Sequence, residues 1–142
     1  MENLFKLWSE DSNIDKTKIS DEALNIPKLH NKYLQLLSTS KLKLRFSEEE
    51  FKKLYLLKFE YYRGTIADED LKEQGWDPNP IKILKSDVNL YIEADKDIIT
   101  AKLKIALQKE RVDFLDSVLR TINNRNFVIK AFIDWERFTS GY

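Results

Sequence analysis

With 142 residues, 42% of them hydrophobic and 12% aromatic, the chain is long enough to bury a real core, as one folded domain or two small helical lobes. Its 24 basic and 24 acidic residues cancel, so no overall field advertises a nucleic-acid partner, and any such surface must come from local segregation of charge. There is no Cys, which excludes a disulfide framework and thiolate metal sites and fits a reducing compartment.

The opening MENLFKLWSEDSN has no long apolar core or small-residue cleavage site. No apolar run approaches the ~18 residues of a membrane span, and a soluble cytoplasmic protein is expected. Leu4, Phe5, Leu7 and Trp8 predict a first helix that docks on the core or on a partner. Ser20, followed by Asp21 and Glu22, marks a helix start, with Ala23, Ile26, Tyr33, Leu34 and Leu37 at helical spacing. Pro27 implies that this helix kinks, or restarts with Asn25 as its cap. The polar Ser38-Thr39-Ser40 predicts a turn. Ser47 with Glu50 forms a capping box, opening a helix over 47–63 that Gly64 closes.

Of the 3 Gly and 3 Pro in the chain, Gly64, Gly75, Pro78 and Pro80 cluster between two periodic stretches. That interval, about 64–85, also carries Asp68, Glu69, Asp70, Glu73 and Asp77 and reads as an exposed acidic linker. A short helix near 86–93 follows, and then a long one. Ile98, Ile105, Val112 and Leu119 repeat every seven residues, with Ala101, Gln108, Leu115 and Ile122 three residues later, as in a coiled-coil seam. Leu103, Leu107, Phe114 and Val118 project from another side of the same helix. Asn123-Asn124 is expected to turn the chain through a left-handed residue. The last helix has Phe127, Ala131, Phe132, Trp135 and Phe138 on one side and Ile129 and Ile133 on another. Two apolar faces per helix suit packing both within a protomer and against its neighbours; a buried hairpin in a monomeric bundle is the alternative.

Charge along the chain is uneven. Residues 41–63 carry 7 basic and 4 acidic residues, whereas 64–94 carry 3 and 7. Within the positive block, KLYLLKFEYYRG (53–64) places Phe51, Leu54, Tyr55, Tyr61 and Tyr62 on one arc with Lys58 at its middle. A cation among tyrosines suits a single-strand binder, the ammonium meeting a phosphate while rings stack on bases. Arg63, Lys53, Lys52, Lys41, Lys43 and Arg45 would extend a phosphate track that reads little sequence. The other reading of this pattern is a tyrosine core with the Lys58 stem lying across it and its charge kept in water. The single imidazole, His30, has no nucleophile elbow or phosphate loop around it. Glu48-Glu49-Glu50 and Asp68-Glu69-Asp70 look like solvated charge, so neither catalysis, a metal nor a cofactor is expected.

EYYRG (60–64), EADKDI (93–98) and DFLDSVLRTINNRNFVIKAFIDWERFTSG (113–141) resemble the UvsY recombination mediators of T-even-like phages, over roughly Asp15 to Gly141. The resemblance implies a protein acting in the host cytoplasm that binds single-stranded DNA. It also implies contact with a UvsX-like phage recombinase and with the phage single-strand-binding protein, and help for the recombinase in loading where that protein sits. A closed ring-like homo-oligomer, hexamer or heptamer, held mainly by the C-terminal region, is implied as well. In the family's DNA-binding motif a lysine and an arginine, one residue apart, precede paired tyrosines; here those positions are Leu56 and Lys58, before Tyr61 and Tyr62.

The expected fold is all-α: an N-terminal helical hairpin joined by an acidic linker to long C-terminal helices that form an oligomerisation bundle. The expected division is a DNA-binding region at 1–64, a linker at 65–85 and an oligomerisation region at 86–142. Assembly is expected through Ile98, Ile105, Val112, Leu115, Leu119, Ile122, Phe132 and Trp135. A helical adaptor that binds only proteins is the rival expectation, and a small nucleotide-metabolising enzyme a remote third.

Overall fold

The structure, a computed structural model, describes residues 1–79 and 83–141. Its order is α1 (Glu2–Asp11), a 3-10 turn (Lys16–Lys18), α2 (Ile19–Leu24), α3 (Ile26–Arg63), α4 (Asp68–Gln74), α5 (Val88–Glu93), α6 (Lys96–Asn123) and α7 (Arg125–Thr139). No strand occurs among the described residues, and none of their helices is long and apolar enough to cross a membrane. The chain forms two compact units, residues 1–41 with 110–142 and residues 42–109, so the division falls inside α3 and α6.

The turn expected at Ser38-Thr39-Ser40 is absent, and Ser47 lies inside a helix of 38 residues. Tertiary burial decides this: Leu37 and Ser40 face inward and are buried while Ser38 and Thr39 stay exposed, a helical pattern that weak local propensity does not break. Pro27 falls in the first turn of α3, where its missing N–H leaves no ladder bond unmade. The Leu29 amide donates to the Asn25 carbonyl at 3.0 Å, so the helix does restart at Asn25. At the other end Gly64 adopts φ 74°, the Gly64 amide reaching Tyr61 O and the Thr65 amide Glu60 O, a Schellman ending.

In the first unit Leu4, Tyr33, Leu37, Leu115, Val118, Leu119 and Ile122 form the core. Tyr33 meets Trp8 edge to face at 5.3 Å and donates its hydroxyl to Asp11 at 2.9 Å. Burial and that bond push the phenol up from its ordinary value. Asn123-Asn124 turns the chain without a left-handed residue: Asn124 sits at φ −88°, and its carbonyl receives the Phe127 and Val128 amides. α7 can therefore start at once, and its first residue, Arg125, is only 7% exposed. The guanidinium donates to Asp11 O at 3.2 Å, Asn13 O at 3.0 Å and Glu22 Oε2 at 3.0 Å, tying the segment after α1 and the helix α2 to α7.

In the second unit Ile83, Val88, Ile92 and Ile98 are the core, flanked by Phe51, Leu54, Tyr55, Phe59 and Tyr62 of α3. The interval 64–85 is thus no bare linker, since it contains α4 and the buried Ile83, whose amide donates to Tyr62 O. Pro80, read as part of the Gly/Pro cluster, lies outside the described residues.

Arg125→Ala leaves two carbonyls and Glu22 without their donor, and is expected to lower stability by about 2–4 kcal/mol. Arg125→Lys should recover little of it, because one ammonium cannot span three acceptors set by a planar fork. Urea unfolding of the three proteins measures both.

Candidate nucleic-acid interface on α3

From Leu42 to Arg63, α3 presents two unlike faces. Taking about 100° per residue, Leu54, Lys58, Tyr61 and Phe51 point one way, while Arg45, Lys52, Leu56 and Arg63 fall within about 40° on the other. Exposure follows the arithmetic: Arg45 and Lys52 are exposed, Arg63 half-exposed, and Leu56, where the resemblance expects a cation, is 58% exposed.

Lys58, expected to meet a phosphate, is 4% exposed. Its Nζ lies 3.1 Å from Asp95 Oδ2 and 2.9 Å from Asp97 Oδ2, and 3.8 Å above the Trp76 ring centroid. The tyrosines beside it are also committed. Tyr62 donates to Asp95 Oδ2 at 2.5 Å, and Tyr61 donates to Asp77 O at 2.6 Å while standing edge-on to Trp76 at 5.4 Å. Tyr55 reaches Asn89 Oδ1 at 3.0 Å. The tyrosine-core reading fits these contacts, with one correction: the ammonium is not in water but between two carboxylates and an indole.

Two local devices build this arrangement. Gly75 takes φ 71°, the Gly75 amide reaching Lys72 O and the Trp76 amide Leu71 O, so α4 ends by delivering Trp76 onto Lys58. Asp95 precedes α6, and its Oδ1 accepts the Asp97 amide at 2.9 Å and the Ile98 amide at 3.2 Å, capping the helix start. Burial alone would raise the Asp95 carboxyl, but Tyr62, the Ile98 amide and Lys58 outweigh it and hold it below the ordinary 3.8. Burial and the bond to Asp95 push the Tyr62 phenol up. Helical periodicity gives Asp95, Asp97 and Trp76 no role at this site, because each acts across a tertiary contact.

The remaining expected cations lie on the surface. Lys52 pairs with Glu49 at 3.1 Å, Arg45 with Glu49 at 3.8 Å and Lys53 with Glu50 at 3.6 Å. Such exposed pairs contribute at most about 1 kcal/mol and exchange readily for another anion. Lys41, Lys43 and Arg63 have no ion pair among the described residues, and Lys41 belongs to the other unit. No group of His, Asp or Glu able to hold a metal ion occurs among the described residues.

The seam residues expected to face neighbours are largely used inside the fold. Ile98 is buried in the second unit's core, and Leu115, Leu119 and Ile122 in the first's, while Val112 packs against the latter. Ile105 and Phe132 are half-buried. A heptad pattern marks a buried face without saying whose residues cover it, and here this chain's own do. Of the other set only Leu103 and Leu107 on α6 stay exposed, since Val118 is buried in the first unit's core and Phe114 packs against it. On α7, Val128, Trp135 and Phe138 are exposed at i, i+7 and i+10, with Trp135 61% and Phe138 74% exposed and their rings stacked at 5.8 Å.

The family model for the recombination, repair and ssDNA binding protein UvsY matches residues 7–142. The recombination protein uvsY of Enterobacteria phage T4 is 26% identical over 141 residues, which cover 99% of this chain and 98% of that protein. Crystal structures of the bacteriophage T4 recombination mediator protein UvsY have the same fold. Lattice type II gives a TM-score of 0.83 at 27% identity, covering 99% of this chain and 97% of that one. Lattice type IV gives 0.83 at 25% identity, covering 96% and 97%.

Because Asp95 titrates lower in the folded chain than in the unfolded one, its ionisation stabilises the fold fully above the ordinary 3.8, and that contribution is lost as pH falls through the folded value. The urea midpoint of the parent chain should fall as pH drops below 3.8, and Asp95→Asn should flatten that part of the profile.

Proposed function

The chain belongs to the UvsY family of recombination, repair and single-strand-binding proteins, and on that footing we propose that it is a recombination mediator. In this reading it binds single-stranded DNA without sequence preference, assembles with itself in a closed ring, and helps a phage recombinase load onto DNA covered by single-strand-binding protein.

The observation that supports strand binding is the outward line of α3. Arg45 and Arg63 are five helical turns apart, so with Lys52 between them the line runs about 27 Å at 1.5 Å per residue. Arg45 and Lys52 are held only by the exposed Glu49, and Arg63 has no ion pair among the described residues. Phosphate oxygens can replace that glutamate, with release of condensed counterions as the driving force. Such contacts touch backbone and not base edges, which gives affinity without sequence reading.

Self-assembly rests on the exposed apolar positions of α7 and α6, in place of the heptad seam. A row containing Trp135 and Phe138 left in water is the kind of patch that marks a protein contact. With several protomers on one strand, weak contacts multiply: once the first is made, the rest are intramolecular. A strand held that way stays reachable by the recombinase, since neither base edges nor a deep pocket are engaged.

A fluorescent single-strand titration over a salt series, with light scattering on the same samples, tests the reading. The parent chain should bind with a steep loss of affinity as salt rises, and Arg45→Ala/Lys52→Ala/Arg63→Ala should flatten the log–log slope by roughly 0.7 per contact removed. A parent chain without strand affinity would point to the adaptor reading, and unchanged affinity in a folded triple variant would move the strand off this line of α3. Trp135→Asp/Phe138→Asp should keep its helicity, scatter as a smaller particle and lose at least about tenfold in strand affinity through lost avidity.

A further inference from the structure

We infer that Lys58 is a positioning residue for strand binding and not a phosphate contact. The inference rests on the single-strand reading given above.

Geometry keeps Lys58 away from a strand on the outward face. Lys58 is about 140° around the helix from Arg45, buried, with its ammonium between Asp95 and Asp97 and the Trp76 indole 3.8 Å above it. A phosphate reaching this nitrogen would have to displace Trp76 and then be buried beside two carboxylates, which repel it. Meanwhile Asp95 is fixed by the first amides of α6 and by Tyr62. Holding Lys58 against Asp95 therefore fixes the rotation of α3 in this unit, and the outward line of Arg45, Lys52 and Arg63 follows from that setting.

Lysine acylation of the parent chain, read by mass spectrometry with and without an oligothymidylate, tests the placement without a mutation. Lys58 should resist labelling in both states, while Lys52 should label freely and be protected by the strand. Labelling of Lys58 in the free protein and its protection by the strand would overturn the inference.

Variants test the role. Lys58→Ala should weaken strand binding while leaving the salt slope unchanged, because no counterion-releasing contact is removed. The neutral, similarly shaped Lys58→Met/Asp95→Asn/Asp97→Asn should restore affinity to within about threefold of the parent at the parent's slope. A slope lower by roughly 0.7 that the triple change fails to restore would assign Lys58 to the strand and overturn the inference. A parent chain with no strand affinity overturns the functional reading itself, whereas one that binds and protects Lys58 overturns this inference alone.

Discussion

An ammonium taken out of water dictates what must surround it. At position 58 the cost of leaving solvent is met by two carboxylates and an aromatic face, and those partners come from separate parts of the second unit. Asp95 can serve because it is already held by the amides that open α6, and Trp76 because Gly75 turns α4 toward α3. The start of one helix, the end of another and the rotation of a third are thereby set around a single nitrogen. The solvated cations of α3 face outward because the inward face is settled by this contact.

The first unit meets a related demand with a different cation. Arg125 carries a planar fork and reaches two backbone carbonyls and a carboxylate, whereas Lys58 is a point charge between two carboxylates. The difference suits the tasks. Backbone carbonyls after α1 have no regular ladder to satisfy them, and a multidentate donor ties that irregular segment down. Between helices that already have their own hydrogen bonds, a single charge with matching anions is enough.

Helical periodicity carried much of the fold. The closing of α3 at Gly64, the short helix before a long one, and the apolar faces of α6 and α7 were legible, since each depends on residues within a few turns of one another. Ser38-Thr39-Ser40 predicts a break that does not occur, because the inward positions Leu37 and Ser40 keep the helix in phase through a polar stretch. The arc around Lys58 was placed correctly as a face, but periodicity says nothing about what lies over it. Asp95, Asp97 and Trp76 are distant in sequence, and a lysine among tyrosines reads alike whether its head is wet or buried. For the same reason the heptad residues identified an interior without showing that Leu115, Leu119 and Ile122 are covered by this chain itself.

Asp95 serves three neighbours at once, capping α6, pairing with Lys58 and accepting from Tyr62. Substitutions at residues sharing one acceptor do not add, and the effect of each depends on which others are present. Positions 58, 62, 95 and 97 therefore form an epistatic block: a lineage leaving this solution has to cross through intermediates with a stranded charge, and is expected to change the set together or not at all. The outward line of α3 is under no such constraint. Its cations can be gained or lost one at a time, so the charge of that face is free to drift in small steps while the scaffold behind it stays put.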